Sequence, residues 1–221
     1  VANTKNPAGR RRTHRAGVRT RLRILRAAEQ VIADRGFDGA SLREVTSLAG
    51  VDLGLVNYHF GSKERLYIAV LSRRNTAINK TRLEQLGLAR DKASPGPIEL
   101  EAIVDAFLDP IFDRLMTKAP GWRNWGRIAA KIDWSPPILQ HQSESIDQVS
   151  LAFIEEFRRT LPGVRPGSLI FRYVFMVSVL LEVLHGAPRV RNLSDGAEDI
   201  RDLPVAKAEA RAFILAGLTA P

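Results

Sequence analysis

Between Gly36 and Ser62 the chain is punctuated three times in the same way: a glycine closes one helical segment and a capping residue opens the next. Gly36 precedes Ser41, Gly50 precedes Asp52, and Gly61 precedes Ser62. Glycine stops helices because it enters the left-handed conformation without strain. Serine and aspartate start them because their side-chain oxygens satisfy the free amides of the first turn. Glu44, three residues after Ser41, adds a capping box. This spacing predicts a short helix from Ser41 to about Ala49 and another from Asp52 to His59. They are joined by the small-residue turn Leu48-Ala49-Gly50-Val51, where two helices cross closely.

The surroundings are helical as well. From Arg19 to Arg35 apolar residues recur at helical spacing, with Leu25, Ala28 and Ile32 in one line and Ile24, Ala27 and Val31 beside it. No breaker interrupts Lys63–Leu86, a helix of roughly 35 Å at 1.5 Å per residue. The segment Lys92–Pro97 reads as a loop, followed by a helix to about Leu108. Asp109–Pro110 reads as a cap plus first-turn proline that restarts the helix after a bend. Further helices are expected from Pro120–Gly121 to about Asp133, from Ser135–Pro136 to about Leu161, over 167–185, and from about Pro204 to Leu218. The stretch 189–202 reads as a loop. No alternating strand pattern of useful length occurs. The expected fold is all-α with about nine helices. It divides into a basic flexible arm (1–18), a three-helix helix-turn-helix domain (19–66) and a larger helical domain (67–221).

Charge is distributed unevenly. The chain has 33 basic and 24 acidic residues, a net of +9. Residues 1–26 hold nine Lys or Arg and no acid, so the rest of the chain is balanced. A neutral body with a cationic end points to a polyanion partner for that end. Cysteine is absent, which excludes disulfides and thiolate metal sites. There is no His pair at metal spacing, no Ser–His–Asp cue and no glycine-rich phosphate loop, so neither an enzyme nor a metal or cofactor is expected. The longest apolar stretch, Leu169–Leu184, contains Arg172 and Glu182 and falls short of the roughly 20 residues of a span. A soluble cytoplasmic protein with no membrane partner is expected.

The helix Asp52–His59 has the composition of a reading head. Its N-terminal residues enter a major groove foremost in a helix-turn-helix. Leu53, Gly54, Leu55 and Asn57 are the candidates for facing bases, with Val56 and Phe60 turned to the core. Asn57 suits bidentate bonds to adenine, the leucines suit thymine methyls, and Gly54 allows close backbone approach. Ser41, Arg43, Tyr58, His59 and Lys63 are candidates for phosphate contact, beside the free amides of the helix that Lys63 opens. Arg10, Arg11, Arg12, Arg15 and Arg19 of the basic arm are expected to lie along the duplex or in a minor groove.

At these residues the chain resembles the TetR family of bacterial transcriptional regulators. The likeness rests on ILRAAEQVIADRGFDGASLREV, the AGV turn and the NYHFGSKE block, Asn57–Glu64. It implies a homodimer whose N-terminal helices bind DNA and whose remaining helices bind a small molecule, with the last two long helices forming a four-helix dimer bundle. Gly54 and Asn57 then fall on base-facing positions, and Tyr58, His59 and Lys63 on phosphate-facing ones. Asp52 stands where the family often has Ser or Thr. No motif beyond Leu71 carries the resemblance.

The C-terminal part yields two expectations from its residues. The helix Leu169–Leu184 is apolar on nearly every side and so must be covered on more than one face. Tyr173, Met176, Leu180 and Val183, with Ala210, Phe213 and Ile214 of the last helix, are expected at a two-fold dimer interface. Phe107, Phe112, Trp122, Trp125, Trp134, Phe153 and Phe157 taken together are expected to line an apolar ligand cavity, although each alone reads more readily as core. The leading functional expectation is a repressor that binds a palindromic operator in double-stranded DNA as a homodimer and is released by a small molecule. The alternatives are an architectural or ligand-independent DNA binder and, from another class, an all-α enzyme.

Overall fold

A computed structural model describes the backbone of residues 7–117, 121–131 and 136–221, and side chains over 15–117, 121–131 and 147–221. Ten helices and no strand occur among the described residues. They fall into two compact units that divide after Leu71.

The first unit holds α1 (Pro7–Gly39), α2 (Leu42–Ala49), α3 (Leu53–Phe60) and the start of α4 (Lys63–Ala93). Helix α1 begins at Pro7, so the backbone of 7–18 is helical where a flexible arm was expected. Proline suits a first turn, and from Ala8 to Arg35 only Gly9 and Gly17 interrupt residues that are mostly good helix formers. The side chains of Arg10, Arg11 and Arg12 lie outside the described residues. Gly36, at φ +74°, kinks α1 as its glycine predicts. Ile24, Leu25, Ala28 and Ile32 are buried, as the periodicity requires. Helix α1 packs on both α2 and α3, and α2 packs on α3.

The second unit holds the rest of α4, then α5 (Leu100–Met116), α6 (Trp122–Ala129), α7 (Pro136–Thr160), α8 (Pro166–His185), α9 (Arg189–Leu193) and α10 (Leu203–Thr219). Helix α4 continues seven residues past Leu86, because nothing before Pro95 forbids it. Helix α5 does not restart at Pro110: the proline sits inside one helix, without a side-chain cap from Asp109. The lost backbone bond costs about 3 kcal/mol. It is offset by burial of Phe107, Leu108, Ile111 and Phe112 around it, each contributing about 1.5–3 kcal/mol. The short α9 interrupts the stretch that reads as loop.

Helices α5 and α8 form the centre. Helix α5 packs on α10, α7 and α6, and α8 packs on α10, α6 and α7. Polar ties hold the layers in register. Arg211 of α10 grips Asp105 of α5 through two bonds, at 2.6 and 3.0 Å. Arg172 of α8 donates to the Leu218 and Ala220 carbonyls at 2.6 and 2.7 Å, capping the C-terminus of α10. Helix α8 is 20 residues long, which corrects the expectation that this stretch is too short for a span. By length and composition it is long and apolar enough to cross a membrane. One stripe of it, Leu169, Tyr173, Met176, Leu180 and Val183, is buried in the core of this unit.

Candidate nucleic-acid interface

Three local devices set the geometry of α2 and α3. The Ser41 hydroxyl accepts from the Glu44 amide at 3.1 Å and so starts α2. Gly50, at φ +60°, ends it: Gly50 N–H reaches the Ser47 carbonyl and Val51 N–H the Thr46 carbonyl, at 3.2 and 3.1 Å. That pair of bonds is a Schellman turn. Arg23 of α1 then donates to the carbonyls of Ala49 and Gly50, the latter at 2.8 Å. A β-carbon on Gly50 would come within 3.0 Å of the Arg23 guanidinium. Glycine at this position therefore serves both the left-handed turn and the arginine clamp. Sequence reasoning counted Arg23 among the cationic residues without seeing this structural role.

Helix α3 presents two chemically different sides. Val56 and Phe60 are 1% and 7% exposed and anchor it to the core. Leu53, Gly54, Leu55, Asn57 and Tyr58 are all exposed, and Tyr58 reaches 82%. A β-carbon on Gly54 would meet no atom within 4 Å. Nothing inside the protein requires a glycine there. Asp52 occupies the capping position of α3, but its side chain makes no capping bond, which corrects the expectation. The exposed Asp52 carboxylate is left at the tip of the helix.

The residues expected at phosphates differ in freedom. Ser41 and Arg43 are exposed. His59 is half-buried, with its ring centroid 5.1 Å from Tyr58 and 6.2 Å from Phe60. Lys63 is also half-buried. Its Nζ donates to the Asp38 carbonyl at 3.2 Å and lies 4.7 Å from the centre of the Phe37 ring. It closes the C-terminus of α1 as well as carrying a charge at the start of α4. Ser62 caps that start by accepting from the Arg65 amide at 3.2 Å. The Ser62 hydroxyl also holds the Glu64 carboxyl below its ordinary pKa. Arg15 and Arg19 are exposed on α1.

Residues 24–70 match the bacterial regulatory proteins of the tetR family. Residues 105–217 match the tetracyclin repressor-like C-terminal domain. The chain belongs to the TetR family of bacterial transcriptional regulators. The second match corrects the expectation that the likeness stops at Leu71. Among relatives, the chain is 36% identical over 77 residues to the transcriptional repressor NicS of Pseudomonas putida, over 35% of each chain. It is 35% identical over 107 residues to the transcriptional activator FasR of Mycolicibacterium smegmatis, over 48% of this chain and 47% of that one. The chain thus spans less than half the length of either relative. The regulator FadR of Bacillus subtilis, solved with stearoyl-CoA, has the same fold at a TM-score of 0.64 and 13% identity, over 89% of this chain and 98% of that one.

The C-terminal unit of this TetR-family chain contains a largely apolar cavity of about 460 Å³. Phe107 and Trp125 line it, together with Arg82, Tyr173, Ser150 and Leu180. Phe112, Phe153 and Phe157 do not; each is fully buried in the core. Trp122 is not part of the lining either; the guanidinium groups of Arg74 and Arg114 lie 4.5 and 5.3 Å from its ring centre. Trp134 lies outside the described residues. Aromatic type alone could not separate wall from core, because both environments are apolar.

The expected dimer residues also divide. Tyr173, Met176, Leu180, Val183, Ala210 and Ile214 are buried within the chain, so they are not available to a second copy. Phe213 is exposed, as are Ile170, Phe171, Val174 and Phe175 on the other side of α8. The phase of the helix, not its composition, selects the stripe that points outward.

Proposed function

We propose that the chain is a cytoplasmic repressor that binds a palindromic operator as a homodimer and leaves it when a small organic molecule occupies the C-terminal cavity. The outward side of α3 carries this reading. An exposed tyrosine, two exposed leucines, an asparagine and a glycine with open space above it serve no packing purpose. They match the chemistry of major-groove edges: Asn57 for adenine, Leu53 and Leu55 for thymine methyls, Gly54 for close approach. Ser41, Arg43, Tyr58, His59 and Lys63 supply the surrounding phosphate contacts, and Arg15 and Arg19 extend the cationic surface along α1.

Dimerisation follows from unpartnered apolar surface. Ile170, Phe171, Val174 and Phe175 of α8 and Phe213 of α10 leave several large side chains in water. Two copies related by a two-fold axis would bury both sets. A dimer then needs its two reading helices about 34–36 Å apart, or a multiple of that. A ligand that binds better to a state with another spacing shifts the population away from DNA. The relative of this fold that holds stearoyl-CoA is in keeping with an organic effector.

Selection of bound duplexes from a random pool tests the proposal. The expected product is an inverted repeat with half-site centres about 10 base pairs or a multiple apart. Sedimentation of the free protein should give a dimer at micromolar concentration. An asymmetric site bound by a monomer would refute it. Coupling the selected operator to a reporter then decides the sign, with repression expected.

A further inference from the structure

The C-terminal unit buries a cation that none of its described carboxylates pairs with. Arg82 is 8% exposed. Its Nε donates to the Phe107 carbonyl at 2.9 Å, and its guanidinium carbon lies 3.7 Å from the centre of the Phe107 ring. Nη2 is buried without a hydrogen-bond acceptor. The ion pairs of the unit's described residues, among them Arg90–Glu156, Lys207–Asp109 and Arg211–Asp105, leave it out. Burial lowers its pKa to about 10, an effect partly opposed by Tyr173, so the group remains charged at neutrality. Were packing the only demand, a methionine or leucine would meet it without the desolvation of a charge.

Other unmet or polarised groups share the same cavity. The Trp125 indole N–H is buried without an acceptor. The Tyr173 hydroxyl sits 2.9 Å from the Ser150 hydroxyl, a hydrogen bond on the cavity wall. The rest of the wall is mainly hydrocarbon, including Ile111, Val149 and Leu180. Among the described residues the cavity therefore offers one fixed cation, an unmet indole N–H and apolar surface around them.

We propose that the ligand of this cavity is a monocarboxylate with an apolar body, its carboxylate paired with Arg82. A single guanidinium neutralises a single charge. Its planar fork matches the two oxygens of a carboxylate, whereas a phosphate dianion would call for a second cation. Stacking on Phe107 and the bond to its carbonyl hold the group in place before the ligand arrives. The inference rests on the reading of the cavity as the effector site.

Calorimetric titration of the full chain with 4-butylbenzoate and its uncharged analogue 4-butylbenzamide separates the two ideas. The acid should bind about tenfold or more tightly than the amide, the range expected for hydrogen bonds to a charged group. Arg82→Met should lower acid affinity to that of the amide and leave amide affinity nearly unchanged. Arg82→Lys should retain part of the preference. Equal binding of acid and amide by the unaltered chain would overturn the carboxylate assignment while leaving an effector site in place; this comparison needs no variant to fold. Retained preference in a folded Arg82→Met protein would overturn it too. If neither compound binds and the neutral dye Nile red is also refused, the cavity is not an effector site and both readings fall.

Discussion

Replacing Gly54 with alanine should make the protein more stable and worse at binding DNA. Gly54 lies in the first turn of α3, and a β-carbon there meets nothing within 4 Å. No steric term opposes the gain in helix propensity and the reduced entropy of the unfolded chain, together about 0.4–1 kcal/mol. For a chain of 221 residues that raises the melting midpoint by about 1–4 °C. On DNA the same methyl group projects from the exposed side of α3. If the backbone there lies against the groove, forcing in a methyl costs about 1–3 kcal/mol, by analogy with overpacking in a core. Affinity then falls roughly 5- to 150-fold for each half-site, and by the square of that factor for a dimer on both half-sites. The loss should be the same at every salt concentration, because no phosphate contact has changed. Thermal denaturation and fluorescence-anisotropy titration of the operator check the two halves separately. Undiminished operator binding would refute the close approach of α3, and a lowered melting temperature would refute the open space above Gly54.

Asn57→Ala should relax sequence preference at one position per half-site, by about 1–3 kcal/mol of discrimination; equal loss on specific and random duplexes would contradict base reading. Lys63→Met should weaken all duplexes alike and reduce the slope of log affinity against log salt by about 0.9 per subunit, and an unchanged slope would leave Lys63 only its tie to the Asp38 carbonyl. The double change Phe171→Glu with Phe175→Glu places charge on the outward stripe of α8 and should convert a sedimenting dimer to monomer without unfolding it, since both side chains are exposed. Glu64 titrates below its ordinary value of 4.5 because of Ser62. Its contribution to folding is therefore fully present above 4.5 and lost as pH falls through the lowered value. An NMR titration of Glu64 should move back toward 4.5 in Ser62→Ala, and a titration indifferent to that change would remove Ser62 as the cause.

Much of the first unit was legible residue by residue, because its signals are local. Ser41, Gly50, Gly61 and Ser62 mark helix ends by the chemistry of their own turns, and each end lies where that chemistry puts it. Val56 and Phe60 were assigned to the core from a spacing of four, and both are buried. Asp52 is the instructive exception. It has the right identity for a cap and the right backbone, yet its carboxylate bonds none of the amides. Pro110 misled in the opposite sense, since a strong local breaker yields when its neighbours Phe107, Ile111 and Phe112 gain more from burial than one backbone bond is worth.

The second unit was legible as helices but not as a site. Phe107 and Phe153 touch edge to face, with centroids 5.4 Å apart, and only one of them borders the cavity. Tyr173 and Phe175 stand two positions apart on α8, one in the core and one exposed. Arg82 carried no signal at all in sequence, being one cation among many on a long helix.

Amino-acid order alone thus determined that the chain is helical, where its short helices begin and end, and which end carries the net positive charge. Those properties depend on groups within a turn or two of each other, or on summed charge. Which apolar stripe faces inward, which aromatic borders a void, and which arginine is stripped of water were decided by the packing of α5, α7, α8 and α10. They depend on contacts between residues far apart in sequence, and a side chain's own chemistry is the same on either side of a helix.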